Sequence, residues 1–162
     1  MATGPATGGT NVTISGDGLT NASAVDFGSV GATFTVVSDT SITAVSPSAS
    51  AGTADVTVKS AGGASAASSV DQFTFVAAPT ITGLSPNSGP VAGGNEVTIT
   101  GTNLSTTTGV MFGDAAAGFV VNSDTSITAY APNGENPDTK SVHVTTIGGT
   151  SPSTPADVYT YV

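Results

Sequence analysis

"VSDTSITAVSP" runs from Val37 to Pro47, and "NSDTSITAYAP" runs from Asn122 to Pro132, 85 positions later. One short chain thus states nearly the same phrase twice. Sliding the sequence by that offset brings Gly8-Gly9 onto Gly93-Gly94, and Asn11–Gly16 onto Glu96–Gly101. It also brings Val25–Gly28 onto Val110–Gly113, Phe34 onto Phe119, and Val36 onto Val121. After one inserted residue, Val56 and Val58 meet Val142 and Val144, Gly62-Gly63 meets Gly148-Gly149, and Phe73 and Phe75 meet Tyr159 and Tyr161. A fixed internal period marks a repeated structural unit. The chain is two copies of one module.

Each copy reads as a set of short strands. Apolar residues alternate in Val97/Ile99, Val110/Phe112, Phe119/Val121, Ile127/Ala129, Val142/Val144 and Tyr159/Tyr161. Period two means that one face of a strand is buried and the other is wet. The residues between are mostly Thr and Ser, which suit the exposed side of a pleat. Gly, Asn, Asp and Pro break the runs every ~8–12 residues, the rhythm of an all-β sandwich. The repeated phrase then reads as a turn at Asp39-Thr40 and Asp124-Thr125, followed by a core strand. Asp is expected to close that turn by bonding backbone two residues on. Ile42 and Ile127 are expected to point inward. Pro47 and Pro132 end the strand, because proline donates nothing to a ladder. The fold class is all-β, with two tandem immunoglobulin-like β-sandwich domains, 1–77 and 78–162. Val76–Pro79 joins them, short and ended by proline, which predicts modules in series with limited bending. Ser60–Ser69, rich in small residues, reads as a loop with little to pack.

Composition excludes several classes of function. The chain has 162 residues and no Cys, so disulfides and Cys-based metal sites are out. Lys and Arg number 2 against 11 Asp and Glu, for a net charge of −9. Nucleic-acid binding needs a basic footprint to displace counterions from phosphates, so no nucleic-acid partner is expected. No stretch approaches the ~20 apolar residues that span a bilayer as a helix, so membrane insertion is not expected. Met1–Pro5 lacks the charged and apolar regions of a secretory signal. That reading fits a protein used without secretion, such as a virion component, or a fragment of a longer chain.

Chemistry-bearing residues are few. His143, the one histidine, lies between Val142 and Val144, and alternation puts it on the outer face without a nucleophile at a suggestive spacing. Lys59 and Lys140 are the only cations. A Lys–Asn cross-link would need a buried lysine beside an acid, and only Lys140 with Glu96 or Glu135 offers that pairing; surface lysines are the expectation. Asp17, Asp26, Asp39, Asp71, Asp114, Asp124 and Asp157 are scattered singly, and Ca²⁺ requires several oxygens at one point. Neither a catalytic nor a metal nor a cofactor site is predicted. The sequons at Asn11, Asn21 and Asn103 are what a Thr/Ser-rich chain carries by chance. Tyr130 falls out of phase with Ile127 and Ala129, and is the expected exposed aromatic.

"PTITGLSPNSGPVAGGNEVTITGTNL" (Pro79–Leu104), followed by "VMFGD" (Val110–Asp114), resembles the opening of an IPT/TIG domain, an immunoglobulin-like family shared by plexins and transcription factors. "NSDTSITAYAP" and "VYTYV" are similar to the family's later strands. The resemblance covers nearly the whole chain, twice, and implies an early-set immunoglobulin-like sandwich. It says little about function, since such folds host many. Its DNA-binding members use basic loops, which this acidic chain lacks. By the same offset, the counterparts of Pro79–Ser88 should precede Gly4, so the first copy is short of most of its first strand. Thr3, Gly4 and Pro5 then mark an open sheet edge, where a neighbouring chain adds a strand. The expected role is non-enzymatic: a structural or adhesive array on a bacterial cell surface or a virion, as a spacer and assembly unit. Its partners are proteins or further copies, with surface glycans as another class. A phage decoration or tail-associated protein, and a carbohydrate-binding accessory domain of a secreted enzyme, are the alternatives.

Overall fold

The computed structural model describes residues 1–66 and 70–162. The chain divides into two compact units, Met1–Ala77 and Ala78–Val162. Both are all-β. The last residues of the expected small-residue loop, 67–69, lie outside the described residues; Gly63–Ala64, within it, is a short strand.

The first unit contains β1 (Ala2–Pro5), β2 (Asn11–Ser15), β3 (Ala22–Phe27), β4 (Val30–Ser38), β5 (Ser41–Val45), β6 (Gly52–Ser60), β7 (Gly63–Ala64) and β8 (Gln72–Val76). Its strands connect in the order β1-β8-β6-β3-β4-β5-β2, with β7 paired on β6. The nine-residue β4 joins the two layers: Val30–Ala32 pairs with β3, and Thr33–Ser38 pairs with β5. The core gathers Val25, Phe27, Ile42, Ala44, Phe73 and Phe75. The Phe27 and Phe73 rings meet edge to face at 5.3 Å, and Phe73 and Phe75 at 4.9 Å, a geometry that aromatic quadrupoles favour.

The second unit contains β9 (Thr80–Ser85), β10 (Ser88–Gly89), β11 (Glu96–Thr102), β12 (Gly109–Phe112), β13 (Ala115–Ala116), β14 (Gly118–Ser123), β15 (Ser126–Tyr130), β16 (Asp138–Thr146), β17 (Gly149–Thr150) and β18 (Val158–Tyr161). One sheet runs β10-β18-β16-β12-β13 with β17 on β16, and the other runs β14-β15-β11-β9. Here β13 and β14 are separate strands, where the first unit has the single β4. Between the layers lie Val97, Ile99, Ile127, Val142, Val144 and Tyr159, all fully buried. The alternation read from the sequence holds. Phe119 and Val121 are only partly covered, because β14 ends its sheet.

The repeated phrase is a turn plus core strand in both units, with one correction. Asp does not close the turn. The Ser38 hydroxyl accepts the Thr40 N–H at 3.2 Å, and Ser123 accepts the Thr125 N–H at 3.2 Å. The aspartates reach across the fold instead. Asp39 Oδ1 accepts the Thr20 hydroxyl at 2.8 Å, and Asp124 Oδ1 accepts the Ser105 N–H at 3.3 Å. Their backbone carbonyls accept the N–H of Leu19 at 2.8 Å and of Leu104 at 2.9 Å. The serine is the residue spaced to reach the turn amide. The aspartate is thereby freed to tie down a distant segment.

The far end of the phrase receives the double-glycine turn. Gly93 has φ +68°, and a side chain on it would meet the Pro132 backbone; Gly8, with φ +81°, abuts Pro47 in the same way. Only glycine combines that backbone conformation with so close an approach.

Candidate functional site

In the second unit β11 is an interior strand. It pairs with β15 on one side and antiparallel with β9 on the other. Its counterpart in the first unit, β2, pairs with β5 alone and ends the sheet. The consequence shows in the side chains. Val97 and Ile99 are 0% exposed. Their counterparts Val12 and Ile14 are only half-buried. In the second unit Ile81 of β9 is buried in the core and Leu84 packs against it. Among the described residues of the first unit, nothing takes their place. An apolar cleft of ≈ 180 Å³ remains along the β2 edge, lined by Val12, Ile14, Val56, Phe73 and Val70. Val56 and Val58 are each 7% exposed, against 0% for Val142 and Val144. The first core is therefore the less covered one.

A bare edge presents backbone N–H and C=O groups at strand spacing, a template for another strand. A cleft that also offers half-covered aliphatic side chains adds apolar burial to those main-chain bonds. Together the two make the β2 edge the candidate site.

Thr3, Gly4 and Pro5 stand on β1, the other strand that ends the pairing order of this unit. It pairs parallel with β8: Thr3 stands opposite Thr74, Gly4 opposite Phe75 and Pro5 opposite Val76. Gly4 is buried, and a side chain on it would strike the Thr10 hydroxyl and approach the Phe73 ring at 2.9 Å. Ala2 of the same strand, with Phe73, lines the β2 cleft. Tyr130 is 43% exposed on β15, across from Glu96 and Gly118. It belongs to the second unit and has no part in the β2 cleft. The sequence signal for this edge was the match of β2 to β11. That β2 pairs with β5 alone came only from the pairing.

The other candidate groups are placed plainly. His143 is half-buried opposite Met111, and its Nδ1 has no hydrogen-bond partner. Lys59 Nζ sits 2.7 Å from Asp26 Oδ2, and Lys140 Nζ sits 2.9 Å from Asp138 Oδ2. Lys140 is a surface residue, so it is not placed for a cross-link. Its ammonium and Asp138 hold each other charged: the lysine pKa is raised by hydrogen bonding to Asp138, and the aspartate is lowered by the same bond. A larger concavity of ≈ 370 Å³ in the second unit is lined by Asp114, Glu135, Asp138, Lys140 and Tyr161. Among the described residues no three acidic or histidine side chains are gathered to hold a metal ion. Asp157 is buried, and its Oδ2 accepts the Thr154 N–H at 2.7 Å at the start of a 3-10 turn, Pro155–Asp157. Tyr130 is the one exposed aromatic among the described residues. A row of them, the usual platform for a sugar ring, is not formed.

Two stacked-layer sandwiches, one after the other along the sequence and each with a core of the same kind, define this as a tandem immunoglobulin-like protein. Residues 2–75 and 79–161 each match the IPT/TIG domain, and the chain belongs to that family. Among curated proteins none matches the sequence. Among solved structures it is similar to the plexin A4 full extracellular region. One such structure, with domains 1 to 8, shows 29% identity and a TM-score of 0.53, covering 99% of this chain and 17% of that one. Another, with domains 1 to 10, shows 29% identity and a TM-score of 0.57, covering 99% and 15%. The chain thus spans less than a fifth of either plexin chain. A weaker likeness is to SGBP-B from a xyloglucan utilization locus in Bacteroides uniformis, at 20% identity and a TM-score of 0.43, covering 94% of this chain and 46% of that one. No helix among the described residues is long and apolar enough to cross a membrane.

Proposed function

We propose that this chain is a non-enzymatic structural and adhesive tandem module displayed on a bacterial cell surface or a virion surface. It acts as a spacer and as a protein–protein assembly unit. Its modules are 1–77 and 78–162. The single observation that carries the assembly role is the β2 edge: β11 is paired on both sides, while among the described residues β2 is paired with β5 alone. The partner contact is the addition of an extended protein segment at that edge, where main-chain hydrogen bonds supply the affinity. The extracellular setting draws support from the plexin likeness, which is to an extracellular region. The net charge of −9 supports a protein partner over a polyanion. The scattered acids and the partnered lysines support a role without catalysis.

Two measurements test this reading. Hydrogen exchange compares the amides of β2 with those of β11, and affinity electrophoresis runs the chain through gels of soluble glycans. The reading expects β2 amides to exchange much faster than β11 amides, with mobility unchanged by every glycan. Glycan retardation together with a protected β2 would replace it with a carbohydrate-binding role.

A further inference from the structure

We infer that each unit of this chain is built to bear tension along the polypeptide, through a parallel clamp between an early strand and the last strand. The clamp is β1 with β8 in the first unit and β10 with β18 in the second. The inference rests on the reading of the chain as a spacer, and adds what that spacer withstands.

The register fixes how the clamp is loaded. In the first unit Ala2 stands opposite Phe73 and Pro5 opposite Val76. In the second, Ser88 stands opposite Thr160 and Gly89 opposite Tyr161, again in parallel. Tension reaches β1 at its Ala2 end and leaves β8 at its Val76 end. Because the pair is parallel, those two points lie at opposite ends of the ladder. The strands are therefore pulled past each other, and the bonds between them are strained together. In an antiparallel pair the two points would lie side by side, and the bonds would open one after another. Parallel pairing is slightly the weaker kind at equilibrium, so its advantage here is the direction of pull. The pairing lies inside each unit and holds whatever precedes Met1 or follows Val162.

The same bonds and the same glycine recur in both clamps. The Ala6 N–H donates to the Val76 carbonyl at 2.8 Å, and the Val91 N–H donates to the Val162 carbonyl at 3.3 Å. Thr160 and Val162 donate in turn to the carbonyls of Asn87 and Gly89, each at 2.9 Å. Gly4 and Gly89 hold matching places in the two strands, and neither has a positive φ. Each is glycine for closeness instead. A side chain on Gly4 would strike the Thr10 hydroxyl and approach the Phe73 ring at 2.9 Å; one on Gly89 would strike the Tyr159 hydroxyl and approach Asn95 at 2.7 Å. The clamp backbone thus lies directly against core residues, where water has less access to the strained bonds.

Just beyond the clamp the chain is tied a second time. Ala49 donates to the Ala6 carbonyl at 2.9 Å and Gly134 to the Val91 carbonyl at 2.7 Å. Gly9 donates to the Ser46 carbonyl at 2.8 Å and Gly94 to the Ala131 carbonyl at 2.7 Å. These bonds fasten the clamp strand to the end of the repeated phrase, so it cannot slide until they break too.

Force spectroscopy of the full chain tests this. The chain has no Cys, so two introduced cysteines are its only thiol handles. Met1→Cys with Ala77→Cys pulls β1 and β8 in shear. Met1→Cys with Val70→Cys pulls the first unit from one end of the ladder, where Ala2 and Val70 line the same cleft, and peels the pair apart. Forced unfolding is governed by the unfolding rate in the pulled direction, and the expected force at one pulling speed is about twofold or more higher in shear than in peel. The two handle variants are expected to melt at the same temperature. Gly4→Ala in the shear variant is expected to bring its force down to the peel value. Equal forces in the two directions would overturn the inference and leave the spacer reading standing, as would a Gly4→Ala chain that keeps the full shear force. The comparison of directions needs no destabilising substitution, and decides alone should the Gly4→Ala unit fail to fold. The β2 exchange rates bear on the assembly reading alone.

Discussion

Asp39 and Asp124 hold the turn phrase to the rest of each unit, and the hydrogen bonds they accept favour their ionised form. Hydrogen bonds from Thr20 and from Ser105 hold the two carboxyls below their ordinary value of 3.8. A depressed folded-state pKa stabilises the fold above the ordinary value, and that contribution is lost as pH falls through the folded value. Asp39→Asn is therefore expected to lower the melting temperature at neutral pH, with the difference from the parent shrinking as pH drops below 3.8. Thermal unfolding followed across acid pH checks it. Tyr161 works in the opposite sense. Burial pushes its phenol above 10, with Tyr159 adding to the effect. A raised folded-state pKa means stability that is complete below 10 and is lost as pH rises toward the folded value. The second unit should thus weaken above pH 10, and Tyr161→Phe should remove part of that alkaline loss. At neutral pH the same substitution gives up the 2.9 Å bond to the Pro132 carbonyl, a cost of roughly 0.5–1.5 kcal/mol. Alkaline melts of the parent and the Phe variant separate the two effects.

At the scale of elements, the same strand sequence behaves differently according to its neighbours. β2 and β11 share an apolar alternation, yet Ile99 is sealed under β9 while Ile14 is half-covered. Ile99→Ala should cost about 2–5 kcal/mol, the range for emptying a sealed core site. Ile14→Ala should cost less than half as much, because water already reaches that side chain. Denaturant unfolding of the two variants measures the ratio, and equal losses would mean that β2 is covered after all. Most of the strands were legible because alternation is a local signal: Val142 and Val144 are buried on either side of His143, as their spacing implies. The half-burial of His143 was not legible, because it depends on Met111 across the ladder. Nor was the fusion of two strands into β4, where Val30-Gly31-Ala32 continues without a break and Ala115–Gly118 does not. The turn was read with the wrong residue in charge. Asp39 bonds a residue 19 positions away, a distance that no local rule reaches. The match of β2 to β11 was legible, but not that β2 pairs with β5 alone. That Thr3, Gly4 and Pro5 pair with β8 and not with β2 needed the structure.

At the scale of the molecule, the two units are unequal builds of one design. The second adds β9 and buries Ile81, Val97 and Ile99, while the first leaves a cleft and looser valines. Burying one aliphatic side chain contributes about 1.5–3 kcal/mol, and single domains are stable by only about 5–15 kcal/mol. The less covered core of the first unit therefore separates the two units measurably. The three tyrosines, at 130, 159 and 161, all lie in the second unit, and the chain has no Trp. Tyrosine fluorescence thus reports the second unit alone. Calorimetric unfolding, with that fluorescence recorded in parallel, tests the central claim most directly. The chain is compared with a version carrying Pro79–Asn87 grafted ahead of Met1. The account predicts two transitions in the parent, with tyrosine following the upper one, and a graft that raises the lower transition alone. A single transition at the temperature of the tyrosine signal, unmoved by the graft, would contradict it.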